Sequence, residues 1–159
     1  MGIIRIVWGT ATGPTAMASY DSALAAANVH NYNLVSVSSV IPAGATIETV
    51  GEASTLGPTG EQLTVVEACK TVAPHEAETV AACLGWSRDP EGPGIFYESS
   101  GTDPGAVRDR VDRGLAAGQE LRPWAFDGGG RRIVTATADP GQYTTAIVLA
   151  VYGDSEPLL

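Results

Sequence analysis

Residues 30–42 read His-Asn-Tyr-Asn-Leu-Val-Ser-Val-Ser-Ser-Val-Ile-Pro. The first half of this stretch alternates polar and apolar side chains and is rich in β-branched residues, which predicts a β-strand. Pro42 cannot donate a backbone hydrogen bond to a sheet, so it is expected to close the strand or lie at a sheet edge. Just before it stand two adjacent hydroxyl side chains, Ser38 and Ser39. A serine pair at a strand end is most often structural, and the alternative, chemistry on the backbone between them, depends on the rest of the chain.

Upstream of this stretch, the sequence predicts one strand and one helix. Residues 3–8 form a short β-branched run typical of a strand. Thr12-Gly13-Pro14 supplies a capping residue and a proline suited to a first helical turn, and the alanine-rich residues 15–28 are typical of a helix. On that helix Asp21 lies beside the apolar stripe that contains Leu24, rather than opposite it.

Downstream, a second helix and a series of strands are predicted. Thr102-Asp103-Pro104 repeats the cap-then-proline signal and opens a helix that reaches about Gly118. Asp127-Gly128-Gly129-Gly130 is typical of a hairpin turn, and the most apolar segment, residues 143–152, is expected to be a central strand. The predicted downstream strands cover residues 46–50, 63–72, 78–86, 95–100, 121–126, 132–138 and 143–152. Residues 67–70 also fit a helix, and the pattern of residues 78–86 is ambiguous, with a strand favoured because the segment is short and bounded by turn residues.

These elements predict an α/β class, more closely an α+β layered sandwich. Two main helices pack on mostly antiparallel β-sheets of about seven to nine strands, in an αββα-like arrangement. The length of 159 residues fits one domain spanning residues 1–159.

Composition excludes several function classes. The net charge of −9 and the lack of any basic cluster larger than Arg131-Arg132 argue against a nucleic-acid partner. No apolar run is long enough for a signal peptide or a membrane span, so a cytoplasmic protein without a membrane partner is expected. Cys69 and Cys83 lack metal-type spacing, which favours free thiols in a reducing compartment and predicts no metal site.

Two neighbouring segments together carry a specific resemblance. Residues 15–24, Thr-Ala-Met-Ala-Ser-Tyr-Asp-Ser-Ala-Leu, followed by residues 31–42, resemble the processing region of pyruvoyl-dependent arginine decarboxylases. The resemblance is close over residues 13–47 and looser but collinear through residues 94–100 and on to Phe126. Each piece alone is weak, but the combined string is specific to that family.

The resemblance implies a proenzyme that cuts itself between Ser38 and Ser39 into chains 1–38 and 39–159. Ser39 Oγ would attack the Ser38 carbonyl carbon, and the ester so formed would eliminate across the Cα–Cβ bond of Ser39. Hydrolysis then leaves a pyruvoyl group derived from Ser39, with no metal and no pyridoxal phosphate. Such a keto group binds the substrate amine covalently and accepts the electrons released as CO2 departs.

The same resemblance assigns roles to individual side chains. It makes Glu98 the proton donor, Asp21 the partner of the arginine guanidinium, and Asn33 a residue that positions the cleavage region. Ser38 and Leu24 would line the substrate pocket. Taken alone, both Glu98 and Asp21 would be interpreted as ordinary polar surface residues.

The implied activity is conversion of L-arginine to agmatine and CO2, which feeds polyamine biosynthesis. The implied assembly is a homotrimer of processed subunits, or a hexamer, with sites between neighbours. Two alternatives stay open: the same chemistry on another basic amino acid or on histidine, and a family member that never cleaves and serves as a scaffold or partner subunit. His30 departs from the family pattern, which has a small residue there, and its role is open.

Overall fold

The structure, a computed structural model, describes residues 2–159, which form two helices and nine strands. The predicted α/β class, with seven to nine strands, is therefore confirmed. In chain order the elements are β1 Ile3–Gly13, α1 Ala16–Ala26, β2 Asn33–Ser36, β3 Val40–Ile41, β4 Thr46–Gly51, β5 Gln62–Val72, β6 Thr79–Arg88, β7 Gly94–Gly101, α2 Pro104–Glu120, β8 Gly128–Thr137 and β9 Tyr143–Glu156. Neither helix in this described part is long and apolar enough to cross a membrane.

The strands form two sheets that pack face to face. The larger has the order β2-β5-β9-β1-β4 and the smaller β3-β7-β6-β8. Only the β1–β4 and β2–β5 pairs are parallel, and the other pairs are antiparallel. Helix α1 covers the outer face of the larger sheet and α2 that of the smaller, which gives the predicted αββα order of layers.

Strand β9 shows why its sequence is almost continuously apolar. Val148 and its alternate neighbours Ala146 and Ala150 face the core between the two sheets. Ile147 and Leu149 face the opposite way, toward α1. Because successive side chains of a strand point to opposite faces, a strand covered on both sides is apolar at every position. The prediction that this segment is central is confirmed.

Helix α2 begins at the predicted cap, whereas α1 begins later than predicted: its cap is Thr15, and the predicted cap Thr12 belongs to β1. The Thr15 hydroxyl accepts a hydrogen bond from the Ala18 amide at 3.0 Å, and the Asp103 carboxylate accepts from the Gly105 amide at 3.0 Å. These bonds satisfy amides that have no partner within the helix.

The stretch at residues 30–42 is not one strand, and this corrects the sequence prediction. Its first part, β2, pairs with β5 at one edge of the larger sheet, whereas its second part, β3, pairs with β7 at an edge of the smaller sheet. The chain leaves the first ladder after the Val37 amide donates to the Val65 carbonyl at 3.0 Å. Ser38 and Ser39 therefore lie where the chain crosses from one sheet to the other.

The segment at residues 121–126 is also not a strand, and Gly128-Gly129-Gly130 is not a hairpin turn but the start of β8. These glycines pair with the end of β6, which ends at Arg88. A Cβ at Gly130 would lie 2.4 Å from the Trp86 ring. The glycine run therefore serves close packing against an aromatic side chain across the sheet.

The first strand is longer than predicted, because β1 continues past Trp8 to Gly13. Helix α1 passes very close to its second half. A Cβ at Gly9 would lie 2.3 Å from the Ala23 carbonyl oxygen, so only glycine permits this approach of helix to strand.

Candidate active site

The Ser38–Ser39 peptide lies in a tight turn between the sheets. The Val40 amide donates to the Ser38 carbonyl at 3.0 Å, which makes Ser39 the central residue of a three-residue turn. Ser39 is not among the residues with positive φ, so the turn has the unstrained inverse form. Ser38 is exposed and Ser39 half-buried, and the peptide between them is therefore reachable and held in a defined orientation.

Ser39 is bonded to β7 at two points. Its carbonyl accepts from the Phe96 amide at 2.7 Å, and its hydroxyl donates to Glu98 Oε2 at 3.4 Å. Residues 96 and 98 share one face of β7 because strand side chains alternate. Phe96 belongs to the core between the sheets, so Glu98 is directed inward at the edge of that core rather than to open water. The interpretation of Glu98 as an edge residue facing water is wrong for this fold.

The half-buried position of Glu98 raises the pKa of its carboxyl. Burial raises the pKa of the Glu98 carboxyl, while the hydrogen bonds from the Ser39 hydroxyl and from its own backbone amide lower it in part. A carboxyl with a raised pKa keeps its proton to higher pH and can serve as a general acid. The pKa of Glu98 is thus shifted in the direction that favours a proton donor, and its carboxyl faces the Ser39 position.

Tyr152 is a site residue that sequence reasoning missed. Its hydroxyl donates to the Val40 carbonyl at 2.8 Å, and its ring packs edge-on against Phe96 with 6.1 Å between the centroids. The alternation of β9 was the available signal, because it places Tyr152 on the same inner face as Ala150. Its position near the carboxyl end of an apolar strand concealed any polar role.

The cleavage residues open onto a cavity of about 650 Å³, here named the cleavage cavity. Ser38, Ser39 and Val40 line one side, and the start of β7 and the carboxyl-terminal half of α2 line the others. Arg122, just after α2, lies at its rim and stacks on Trp124 with 5.5 Å from the guanidinium carbon to the ring centroid.

The residues expected to bind substrate line a second cavity, of about 520 Å³, here named the α1 cavity. Asp21, Leu24 and Asn33 all contribute to it. Asp21 is exposed and Leu24 is buried against the larger sheet. Asn33 donates from Nδ2 to the Gly60 carbonyl at 2.8 Å, which anchors the start of β2 to the loop between β4 and β5. His30 is exposed at the same cavity.

Tyr20, which lines the α1 cavity, forms a half-buried pair with Glu67 that the sequence did not indicate. The Tyr20 hydroxyl donates to Glu67 Oε2 at 2.8 Å. Burial raises the pKa of the Glu67 carboxyl, and the bond from Tyr20 lowers it in part. Burial and the neighbouring Glu67 also raise the pKa of Tyr20, so its hydroxyl stays protonated. The Tyr20 ring is therefore held in place beside Asp21.

The structure thus brings the predicted residues together in two groups. Ser38 and Ser39 line the cleavage cavity, and Glu98 contacts Ser39 from the inner side of β7. Asp21, Leu24 and Asn33 line the α1 cavity. The two cavities belong to opposite outer layers of the sandwich, one beside α2 and the other beside α1. A single chain does not join them into one pocket.

Within residues 2–159, no group of three or more His, Cys, Asp and Glu side chains is arranged to hold a metal ion. Cys69 and Cys83 are both free thiols, as the sequence predicted.

Comparison with known proteins assigns this chain to a family. The family model described as "Pyruvoyl-dependent arginine decarboxylase (PvlArgDC)" matches residues 3–157. The chain belongs to this family. Two curated relatives in the decarboxylase family, from Halobacterium salinarum strains R1 and NRC-1, are each 50% identical over 157 residues, which cover 98% of this chain and 96% of each relative. Both are named pyruvoyl-dependent arginine decarboxylase.

Membership of the pyruvoyl-dependent decarboxylase family implies a covalent pyruvoyl group made from the chain itself. The residues present fit such a group. Ser39 has a hydroxyl on Cβ, as the formation of a pyruvoyl group requires. The Ser38 carbonyl before it accepts a hydrogen bond from the Val40 amide, and the half-buried Glu98 carboxyl faces its hydroxyl.

Proposed function

We propose that this chain cleaves itself between Ser38 and Ser39, and that the processed protein decarboxylates L-arginine to agmatine and CO2. The observation that carries the proposal is the contact of 3.4 Å between Ser39 Oγ and Glu98 Oε2, at a turn whose scissile carbonyl already accepts a hydrogen bond from Val40. Membership of the pyruvoyl-dependent arginine decarboxylase family supports the same reaction.

Cleavage uses atoms of the chain alone, plus one water. Ser39 Oγ bonds to the Ser38 carbonyl carbon and the peptide C–N bond breaks, which converts the amide into an ester. Loss of the Ser39 Cα proton then breaks the Cβ–Oγ bond and releases the Ser38 carboxylate. Addition of water to the remaining unsaturated residue expels ammonia and leaves the keto group.

The turn favours the first of these steps. Negative charge develops on the Ser38 carbonyl oxygen as Ser39 Oγ attacks, and the Val40 amide at 3.0 Å is already directed at that oxygen. The Phe96 amide fixes the next carbonyl, that of Ser39, at 2.7 Å. Both peptide planes that flank Ser39 are therefore held, which reduces the entropy lost in reaching the attack geometry.

Once formed, the pyruvoyl keto group would supply an electron sink for the electron pair that the Cα–carboxyl bond leaves on the α-carbon of the amino acid. The remaining task of the chain is to deliver one proton to the carbon that has lost CO2. Glu98 faces the Ser39 position, and burial keeps its carboxyl protonated to higher pH than an exposed glutamate. We assign the proton donor to Glu98 on these grounds.

Recognition of arginine requires an anionic partner for its guanidinium, and we assign it to Asp21 in the α1 cavity. A planar guanidinium forms two parallel hydrogen bonds with a carboxylate. Leu24 supplies an apolar wall for the methylene groups, while Asn33 holds the entry to β2 through its bond to Gly60.

Because Asp21 and Ser39 line different cavities of one chain, we propose that the complete site forms between neighbouring subunits of a homotrimer. Strands β2 and β3, which flank the cleavage residues, lie at sheet edges. Three apolar side chains stand exposed on these strands or between them: Val35, Val37 and Val40. Exposed apolar edge strands are surfaces that other chains commonly cover.

The proposal is tested by intact mass and product analysis of the purified protein. We expect two polypeptides, one spanning residues 1–38 and one beginning with a pyruvoyl group at position 39. The processed protein should release CO2 and agmatine from L-arginine in equal amounts. A single full-length chain after prolonged incubation would instead support the scaffold alternative, and CO2 release from histidine or lysine in preference to arginine would overturn the substrate assignment.

Replacing Asp21 with asparagine is expected to raise the KM for L-arginine about tenfold to a hundredfold, since a hydrogen bond to a charged group contributes roughly 1.5–3 kcal/mol. Self-cleavage should be unaffected, because Asp21 does not line the cleavage cavity. Asp109→Asn, which removes an exposed carboxylate from α2, is the matched control. An unchanged KM in Asp21→Asn would remove Asp21 from substrate recognition.

A further inference from the structure

Three successive carbonyls at the cleavage turn each accept one hydrogen bond. The Ser38 carbonyl accepts from the Val40 amide at 3.0 Å and the Ser39 carbonyl from the Phe96 amide at 2.7 Å. The third, that of Val40, accepts from the Tyr152 hydroxyl at 2.8 Å. Tyr152 is therefore the one donor among the three that is a side chain and can be removed without altering the backbone.

We propose that Tyr152 is a positioning residue for self-cleavage, which holds Val40 so that its amide remains on the scissile Ser38 carbonyl. The inference rests on the proposed function, since it assigns a role within the same cleavage step. Tyr152 touches neither of the reacting atoms and acts through Val40.

The local structure explains why Val40 needs this support. Strand β3 contains only Val40 and Ile41 and pairs with β7 alone, at an edge of the smaller sheet. The Val40 side chain is 44% exposed, so packing restrains it weakly. With its amide on Ser38 and its carbonyl on Tyr152, both peptide groups of Val40 are restrained.

Tyr152 is well placed to provide this restraint because it belongs to the other sheet. It lies on β9 near the middle of the larger sheet, so its bond to Val40 joins the two sheets beside the scissile peptide. Its ring packs on Phe96, whose amide holds the Ser39 carbonyl. Burial and the nearby Glu98 raise the pKa of Tyr152 to about 12, so the hydroxyl remains a donor at neutral pH.

Tyr152→Phe tests the proposal, because it keeps the ring and removes the hydroxyl. Each protein is labelled in a short pulse of cell-free synthesis, and the rate at which the full-length chain is converted into the two fragments is then measured during a chase. We expect cleavage of Tyr152→Phe to be roughly tenfold to a hundredfold slower, in the range that misplacement near a reacting group produces. Turnover of arginine by the processed variant is measured separately, because the contact of Val40 with the Ser38 carbonyl serves the cleavage step.

Tyr143→Phe is the matched control, because Tyr143 lies nine residues away on the same strand, roughly 30 Å at ordinary strand spacing. It should cleave at the native rate. Thermal melting of both variants reports loss of fold. A slowdown shared by Tyr143→Phe, or one that follows a matching loss of melting temperature, would overturn a positioning role.

Hydroxylamine separates the steps, since it cleaves esters and so reports how much of the chain has passed the attack by Ser39 Oγ. We expect less hydroxylamine-sensitive chain in Tyr152→Phe than in native protein at equal times. Native ester levels in the variant, or a native cleavage rate, would overturn the inference while leaving the proposed function intact. Failure of the native chain to cleave would instead contradict the proposed function itself.

Discussion

Replacing Ser39 with alanine is expected to leave one full-length chain of 159 residues, with no fragments and no decarboxylation. The reason is chemical. Alanine has neither a nucleophile to attack the Ser38 carbonyl nor a β-substituent that can leave, so neither the ester nor the keto group can form. Intact mass after extended incubation measures the first outcome, and CO2 release from labelled arginine the second.

Ser36→Ala is the control for this experiment, because Ser36 is an exposed serine that ends β2 three residues before the cleavage position. It should cleave normally and melt at the native temperature. The alanine at position 39 removes only a long hydrogen bond of 3.4 Å to Glu98, so Ser39→Ala should also stay folded. Appearance of the two fragments in Ser39→Ala would show that cleavage does not depend on the Ser39 hydroxyl.

Glu98→Gln is expected to separate cleavage from catalysis. The substitution preserves size and can still accept a hydrogen bond from Ser39, and the cleavage chemistry uses no proton from Glu98. The variant should therefore yield both fragments. Decarboxylation should fall by about a hundredfold to ten-thousandfold, the usual contribution of a positioned general acid.

Glu91→Gln, in the exposed loop between β6 and β7, is the companion control and should behave as the native protein. Normal CO2 release by processed Glu98→Gln would exclude Glu98 from the proton-transfer step. Loss of cleavage in Glu98→Gln would show that its contact with Ser39 acts in processing as well.

The raised pKa of Glu98 also sets a pH dependence. The protonated carboxyl is the active form, so the decarboxylation rate should fall as pH rises through that pKa. The contribution of Glu98 to the free energy of unfolding has the same sign: it is present below the ordinary carboxyl pKa and is lost as pH rises through the raised pKa of the folded state.

Processing removes the Ser39 hydroxyl, whose hydrogen bond lowers the pKa of Glu98. In the processed protein, kcat should therefore fall at a higher pH than the pH at which Glu98 titrates in the uncleaved chain. The residual activity of Glu98→Gln should not show this fall.

Much of the fold was predictable because its signals are local. Asp103 caps its helix through bonds to amides two and three residues away. The apolar run of β9 directly reflects burial on both faces. The adjacency of Ser38 and Ser39 is covalent, so the chemistry that a serine pair permits is independent of how the rest of the chain packs.

Predictions failed where a distant residue decided the conformation. Gly128-Gly129-Gly130 has the local pattern of a turn, but these residues pair with β6. There the Trp86 ring occupies the space that a side chain at Gly130 would need. Residues 30–42 have the pattern of one strand, but their two halves pair with β5 and β7 in different sheets. Local alternation carries no information about which partner a strand chooses.

By itself, the sequence determined the layered class of the fold, the cap of α2 and the adjacency of Ser38 and Ser39 on which the proposed cleavage depends. Only the tertiary structure decided that Glu98, 59 residues away, faces Ser39 from the inner side of β7. It also decided that Tyr152, 112 residues from Val40, holds the turn. The physical reason is that both contacts depend on sheet register and on the packing of one sheet against the other, which arise only once remote segments have paired.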